Sequence, residues 1–311
     1  MNTGDSHIVD MEALRLPHTQ TLSRNRARER AGRAYFTFGA EAVDAVLTGR
    51  AKIGARARAK DKDSAKDRAE ESAARGLPLA RLHEVHAAEP EDSSSAAAFV
   101  SLLAVRSRGA AGEAAAGMEK GPIVWVRDHG DARKQGWIYP PGLAQLGINP
   151  DHILYVGVNG SIAVLRAAAD AVRSASIGAV IIELAGKNPK GLNLTATRRL
   201  SLFAQKSGVT VFLLRSQPAS SLAAMPSAGF SRWQVASAPS RALAANAVGH
   251  PVFDITLLRH RGGVDGLTAR LEWNRDTGSF QAGSFEEAAD IGAVPAISGI
   301  GTDREEIRKS A

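Results

Sequence analysis

Arg81-Leu82-His83-Glu84-Val85-His86-Ala87-Ala88-Glu89-Pro90-Glu91-Asp92-Ser93 leads directly into an Ala-rich segment carrying Phe99, Val100, Leu102 and Leu103, and this stretch decides the fold. Leu82 and Val85 mark a strand, and Ser93 to Val105 reads as a helix that Ser93, Ser94 and Ser95 are suited to start. A strand, a turn and a helix in this order commonly hold a nucleotide phosphate. Glycines then let backbone N–H groups close around the phosphates, and a lysine neutralises them. Ala87 to Ser93 contains neither residue type. Glu89, Glu91 and Asp92 suit the positive amino end of a helix but would repel a triphosphate placed there. The implication is a nucleotide-type frame without the phosphate chemistry.

Beyond Leu77, apolar runs alternate with amphipathic segments, the signature of a largely parallel sheet covered on both faces. Strands are expected at 79–86, 122–127, 152–156, 179–184 and 209–215, and helices at 93–105, 141–146, 161–174 and 195–206, with a cap region at Asn193/Thr195. After Pro218 the segments 230–237, 252–260 and 267–273 alternate apolar and polar residues. They are read as antiparallel strands closing one edge of the sheet.

The chain has 311 residues, 44% of them hydrophobic, enough for one substantial domain with dispensable ends. Cysteine is absent, which removes disulfides and thiolate metal sites. The longest apolar runs fall far short of the roughly 20 residues of a membrane span. The first residues lack the basic and apolar regions of a secretory leader, so the expected location is the cytoplasm.

Net charge is +7, with 15 Lys/Arg against 11 Asp/Glu in residues 1–80, 21 against 15 in 81–281, and 3 against 6 in 282–311. Such a balance suits nucleic acid or an acidic protein as partner, or simply a solubilising surface. Residues 1–34, with Arg24, Arg26, Arg28, Arg30 and Arg33, read as a basic arm. Residues 35–281 read as the α/β domain, interrupted by a charged low-complexity insertion at 50–75, and 282–311 as an acidic, disordered tail.

Three further groups stand out in the sequence. His83 and His86, three apart on a strand, face opposite sides and cannot share a metal. Glu183 closes the apolar strand Ala179-Val180-Ile181-Ile182, where nucleotide-hydrolysing α/β proteins keep a magnesium-organising acid. A structural hydrogen bond is the simpler role. Arg259 and Arg261, beside Gly262 and Gly263, form a turn suited to a phosphate backbone or an acidic partner, or to solvent.

Several ordered pieces carry a family resemblance. They are Phe38-Gly39 with Val43-Asp44-Ala45, Gly76-Leu77-Pro78-Leu79-Ala80-Arg81-Leu82-His83-Glu84-Val85, Ile123-Val124-Trp125-Val126, Tyr139-Pro140-Pro141-Gly142-Leu143, and Leu146-Gly147-Ile148-Asn149-Pro150 with Ile153-Leu154-Tyr155-Val156. Leu192-Asn193-Leu194-Thr195-Ala196-Thr197-Arg198-Arg199-Leu200 and Leu257-Leu258-Arg259-His260-Arg261-Gly262-Gly263 complete the set. Over about residues 35–281 the chain resembles the ImuA family of damage-inducible mutagenesis proteins, related in fold to the RecA recombinase and to SulA-type division inhibitors. The 50–75 insertion is the main departure from that pattern.

The resemblance implies a RecA-like fold and a non-catalytic subunit of a translesion mutasome in the SOS response. Its implied partners are an ImuB-like protein and an error-prone DnaE-type polymerase, with RecA, DNA contacted directly or indirectly, and self-association as further possibilities. The implied location is the nucleoid after DNA damage, with no membrane partner. It places the phosphate-loop equivalent at Ala87 to Ser93, the magnesium-side acid at Glu183 and the γ-phosphate sensor at Arg215, a cation where a neutral group is usual. The RecA glutamate would fall near Arg127-Asp128-His129, where none exists. No cofactor or metal is expected, and Arg24, Arg26, Arg28, Arg30, Arg215, Arg259 and Arg261 are the candidate partner or DNA contacts. The alternatives are a SulA-like division inhibitor and a RecA-like ATP-dependent DNA-binding protein.

Overall fold

A computed structural model describes residues 34–48, 76–114, 121–186, 188–216, 226–262 and 266–283. The basic arm, the 50–75 insertion and nearly all of the acidic tail lie outside these residues. A short antiparallel pair, β1 (Tyr35–Phe36) and β2 (Leu77–Pro78), brackets helix α1 (Glu41–Thr48). Asp44 on α1 reaches back to accept from the N–H groups of Phe38 (2.8 Å) and Gly39 (3.0 Å), which accounts for the spacing between Phe38-Gly39 and Asp44.

The main sheet contains β3 (Leu82–Ala87), β4 (Ile123–Asp128), β5 (Ile153–Val158), β6 (Ala179–Leu184), β7 (Thr210–Arg215), β8 (Ser231–Ala238), β9 (Val252–His260), β10 (Leu267–Asn274) and β11 (Ser279–Ala282). Its order is β11-β10-β9-β8-β3-β7-β6-β4-β5. From β8 to β5 every pairing is parallel, and from β8 to β11 every pairing is antiparallel. This is the mostly parallel sheet expected from the sequence, with its antiparallel strands gathered at one edge.

Helix α2 (Ser93–Ala114) packs on one face of the central strands. Phe99, Leu102 and Leu103 join Phe38, Trp233, Phe253 and Phe280 in the larger core. Truncating one such fully buried aromatic costs about 3–5 kcal/mol. Helices α5 (Ser161–Arg173) and α6 (Leu194–Ser207) cover the other face, burying Val164, Ala168, Leu200 and Ala204 against Val124, Val180, Ile182, Val211 and Leu213. Between β4 and β5 lie α3 (His129–Gln135) and α4 (Pro140–Gln145). Among the described residues no helix is long and apolar enough to cross a membrane.

The three segments expected as antiparallel strands at one edge are β8, β9 and β10, antiparallel to one another in turn, and β8 in addition runs parallel to β3. The alternation records coverage rather than direction. Trp233 and Val235 are buried in the larger core, while Arg232 and Gln234 lie on the side that α5 and α6 leave only partly covered. Helix α3, strand β2 and strand β11 were not anticipated; each is short, and α3 carries His129-Gly130-Asp131-Ala132-Arg133-Lys134-Gln135 with Ala132 its one buried residue. Strand β3 begins at Leu82 rather than Leu79 because Ala80 adopts a left-handed φ of 56°.

His83, fully buried on the α2 face, is completely satisfied. Its Nδ1 lies 2.8 Å from Ser231 Oγ and its Nε2 lies 3.0 Å from Pro78 O. Trp233 Nε1 donates to Ser231 Oγ at 2.9 Å, so a neutral ring donating to Pro78 and accepting from Ser231 satisfies the whole chain. Burial lowers the His83 pKa to about 3.

Candidate functional site

The carboxyl ends of β3, β4, β6 and β7 gather the candidate residues, in three groups. The first is the turn after β3. Ala88 N donates to Val235 O (2.8 Å), Asp92 N to Glu89 O (3.0 Å) and Ser93 N to Pro90 O, and Pro90 has no N–H. Glu89 N donates to Asp92 Oδ2 (3.2 Å), while Asp92 Oδ1 accepts from Ser237 N (2.8 Å) and Ser237 Oγ (2.7 Å). The donors that a phosphate loop would turn toward its ligand are thus directed at protein oxygens, and one acceptor is a carboxylate of the turn itself. Residues Pro90–Asp92 form a single 3-10 turn; Glu89 and Glu91 are exposed and Asp92 is buried.

The second group lies on the same face as α2. Glu183 Oε1 sits 3.1 Å from Arg127 Nη2, and Oε2 accepts from Trp125 Nε1 at 2.9 Å. Arg127 Nη1 donates to Gly136 O at 2.8 Å. Burial pushes the Glu183 carboxyl above its usual range, with Arg127 and Trp125 pulling the other way. Both oxygens of the expected magnesium-side acid are therefore held, one by a guanidinium where a metal would carry the charge. The neighbouring Asp128 accepts from Gly130 N (2.7 Å), Asp131 N (3.1 Å) and Gly160 N, capping α3 and tying it to the start of α5. Burial raises the Asp128 pKa, but these N–H groups hold it below the usual carboxylate range.

The third group faces α6. Period-2 alternation puts Glu84 and His86 together on the side opposite His83. Glu84 accepts from Arg232 Nε at 2.8 Å and from Ser227 Oγ. Burial alone would raise its pKa, but His86 and Arg232 hold it low. His86 is 2% exposed, and neither ring nitrogen has a hydrogen-bond partner. Its Nε2 lies 3.6 Å from Glu84 Oε2, too long for a hydrogen bond. Burial lowers the His86 pKa, with Glu84 opposing and Arg232 and Arg215 reinforcing the shift.

Arg215, at the end of β7, is 3% exposed and donates to Gly186 O at 3.0 Å. Burial brings its pKa down to about 10. Beside this group, the register shift between Arg232 and Trp233 pairs Arg232 with Arg259 and Trp233 with Leu257, leaving Leu258 as the extra residue. Arg259 and Arg261, at the end of β9, then donate to Ser227 O (3.1 Å) and Ala228 O (3.0 Å), holding the segment before β8.

Of the residues singled out from sequence, Ala87, Glu89, Glu91, Asp92 and Ser93 form one turn, while Glu183 and Arg215 lie on opposite faces of the sheet. Arg259 and Arg261 are exposed, whereas Arg215 is buried and does not present a surface cation. Arg24, Arg26, Arg28 and Arg30 lie outside the described residues. Sequence reasoning missed Arg127 as the partner of Glu183, and missed the Glu84, His86 and Arg232 cluster. The readable signal was Glu84 and His86 at i and i+2 in a strand whose neighbours are all apolar or buried.

No family model matches the chain. Protein ImuA of Caulobacter vibrioides strain NA1000 / CB15N is 32% identical over 200 residues, spanning 61% of this chain and 74% of the relative. The protein of the same name from Caulobacter vibrioides strain ATCC 19089 / CIP 103742 / CB 15 gives the same values. Among solved structures, the crystal structure of the RadB recombinase matches with a TM-score of 0.42 at 12% identity, covering 68% of this chain and 94% of that one.

Proposed function

The chain belongs to the ImuA family, and on that premise we propose that it is a non-catalytic accessory subunit of a damage-induced translesion complex. In this reading it bridges an ImuB-like protein and an error-prone DnaE-type polymerase at damaged DNA. The observation that carries the non-catalytic part is the turn after β3, where Asp92 occupies the Glu89 N–H and ties the turn to Ser237 of β8. Opening that turn for a triphosphate would break these bonds and bring the ligand against Glu89, Glu91 and Asp92. The Glu183–Arg127 pair supports the same reading, because removing Glu183 to a metal would strand a buried guanidinium. The exposed Arg259 and Arg261, together with the basic arm, are the surfaces proposed for DNA or an acidic partner.

Co-purification of the full-length chain with its ImuB-like and DnaE-type partners tests the proposal. The expected result is stable capture of the ImuB-like protein, unchanged by adding or removing magnesium and ATP. Capture of the division ring protein in its place, or ATP turnover by the isolated chain, would overturn it.

A further inference from the structure

The outer surface of α5 and α6 carries charge of nearly one sign. Over Ser161–Arg173 and residues 188–207 the acids amount to Asp170 alone, against Arg166, Arg173, Lys190, Arg198, Arg199 and Lys206, all of them exposed. Asp170 pairs with Arg173 at 3.0 Å, and the other five cations have no ion-pair partner among the described residues. The two helices lie side by side. At one end Ser161 Oγ donates to Lys190 O at 2.9 Å, and at the other the Arg173 guanidinium lies 4.4 Å from the centre of the Phe203 ring. Four-residue steps set Leu194, Arg198, Leu202 and Lys206 along one exposed ridge of α6, and Ile162, Arg166 and Asp170 along a matching ridge of α5. Cations are thus interleaved with apolar side chains left in solvent, Ile162 at 47%, Leu194 at 38% and Leu202 at 56% exposure.

We infer that this face docks an acidic amphipathic helix of a partner protein. A helix built only for solvent mixes both signs or pairs them three or four residues apart, and α6 has no acid at all. The helix dipole favours Arg173 and Lys206 in the last turns but does not account for Arg166, Arg198 and Arg199, which lie in the first halves. Carboxylates of a partner supply the missing charge, and its apolar side chains cover the exposed leucines. Leu194 and Leu202 are eight residues apart, about 12 Å along α6, a spacing that apolar residues at i and i+7 or i+8 of a docked helix reproduce. A nucleic acid fits less well. A duplex backbone would meet the cations but leave the leucines against a wet, charged surface, and single strands stack on exposed aromatic rings. Phe203, the one aromatic residue of these two helices, is partly buried beneath Arg173. The surface is separate from the turn after β3, and its assignment does not depend on the translesion reading.

The test selects binders of the full-length protein from a displayed library of random peptides about four helical turns long, discarding those that also bind a chain carrying Arg198→Glu and Arg199→Glu. The expected survivors are rich in Asp and Glu and carry apolar residues at helical spacing. Measured by fluorescence anisotropy, their affinity should fall more than tenfold in the double arginine variant and about tenfold in Leu202→Ser. Arg275→Glu, a charge reversal on the β10–β11 turn, should leave it unchanged. All these positions are exposed, and thermal unfolding of each variant checks that the fold is intact. A single-stranded oligonucleotide and a duplex form the second arm. The inference is overturned if the survivors show no acidic or helical pattern, or if Leu202→Ser binds them as the wild type does. It is equally overturned if nucleic acid binds more tightly than the peptides and is lost in the arginine variant but retained in Leu202→Ser, which would assign the face to a phosphate backbone.

Discussion

At the carboxyl ends of its central strands the sheet carries two buried carboxylates in similar company and opposite condition. Glu183, on the α2 face, has a guanidinium on one oxygen and an indole on the other. Glu84, on the α6 face, is also held by a guanidinium, yet it shares its surroundings with an imidazole that has no hydrogen-bond partner. The first cluster is closed and suits a structural role. The second is polar and incompletely satisfied. The carboxylate on the α2 face is thus internally satisfied, and the unfilled hydrogen-bonding capacity lies on the other side of the sheet.

The comparison breaks most readily at Arg127. Arg127→Met leaves Glu183 buried with only Trp125, and should cost about 3–5 kcal/mol in denaturant unfolding, with Glu183→Leu on the same chain recovering most of it. A loss under about 1 kcal/mol would mean that the closed cluster is not a cluster energetically.

Acid should act on the satisfied His83 next. Its folded pKa of about 3 lies below its unfolded value near 6.5, so the unfolded chain binds the proton first. The contribution is complete above about pH 6.5 and is lost progressively as pH falls toward 3, a decline of several kcal/mol measurable by unfolding at stepped pH. A flat profile across that window would show that the ring is solvated.

A smaller effect is expected at Glu84. Glu84→Gln keeps the shape but removes the charge opposite Arg232, and should cost about 2 kcal/mol in denaturant unfolding. A loss under about 0.5 kcal/mol would mean that the Glu84–Arg232 pair contributes little. The smallest stability change is expected for Asp92→Ala, about 1–2 kcal/mol from the lost Ser237 and Glu89 bonds. It should not create magnesium-ATP binding, as judged by equilibrium titration, because glycine and lysine remain absent from the turn.

Much of the architecture was legible because it is written in local periodicity. Ala179–Leu184 has the bounds expected from its apolar run, and β9 from its alternation. The parallel pairing of β8 with β3 was not legible, since alternation reports which side chains are covered and is silent about the strand's neighbour. The site was legible as a collection of charges but not as pairs. Arg232 and Glu84 are 148 residues apart, and Trp125 and Glu183 are 58 apart. Only the sheet order brings them into contact. Asp92 shows the same limit: its charge argued correctly for a helix start, but nothing local revealed that Ser237 of β8 would donate to it twice.

The central claim is that the turn from Ala87 to Ser93 holds its own carboxylate in place of a nucleotide. Backbone amide signals of Ala88, Glu89, Glu91, Asp92 and Ser93, followed in the full-length protein during titration with magnesium and ATP, test it most directly. The account requires these signals to stay in place through millimolar nucleotide. Saturable movement of the turn signals at micromolar nucleotide, reversed on removing magnesium, would contradict it.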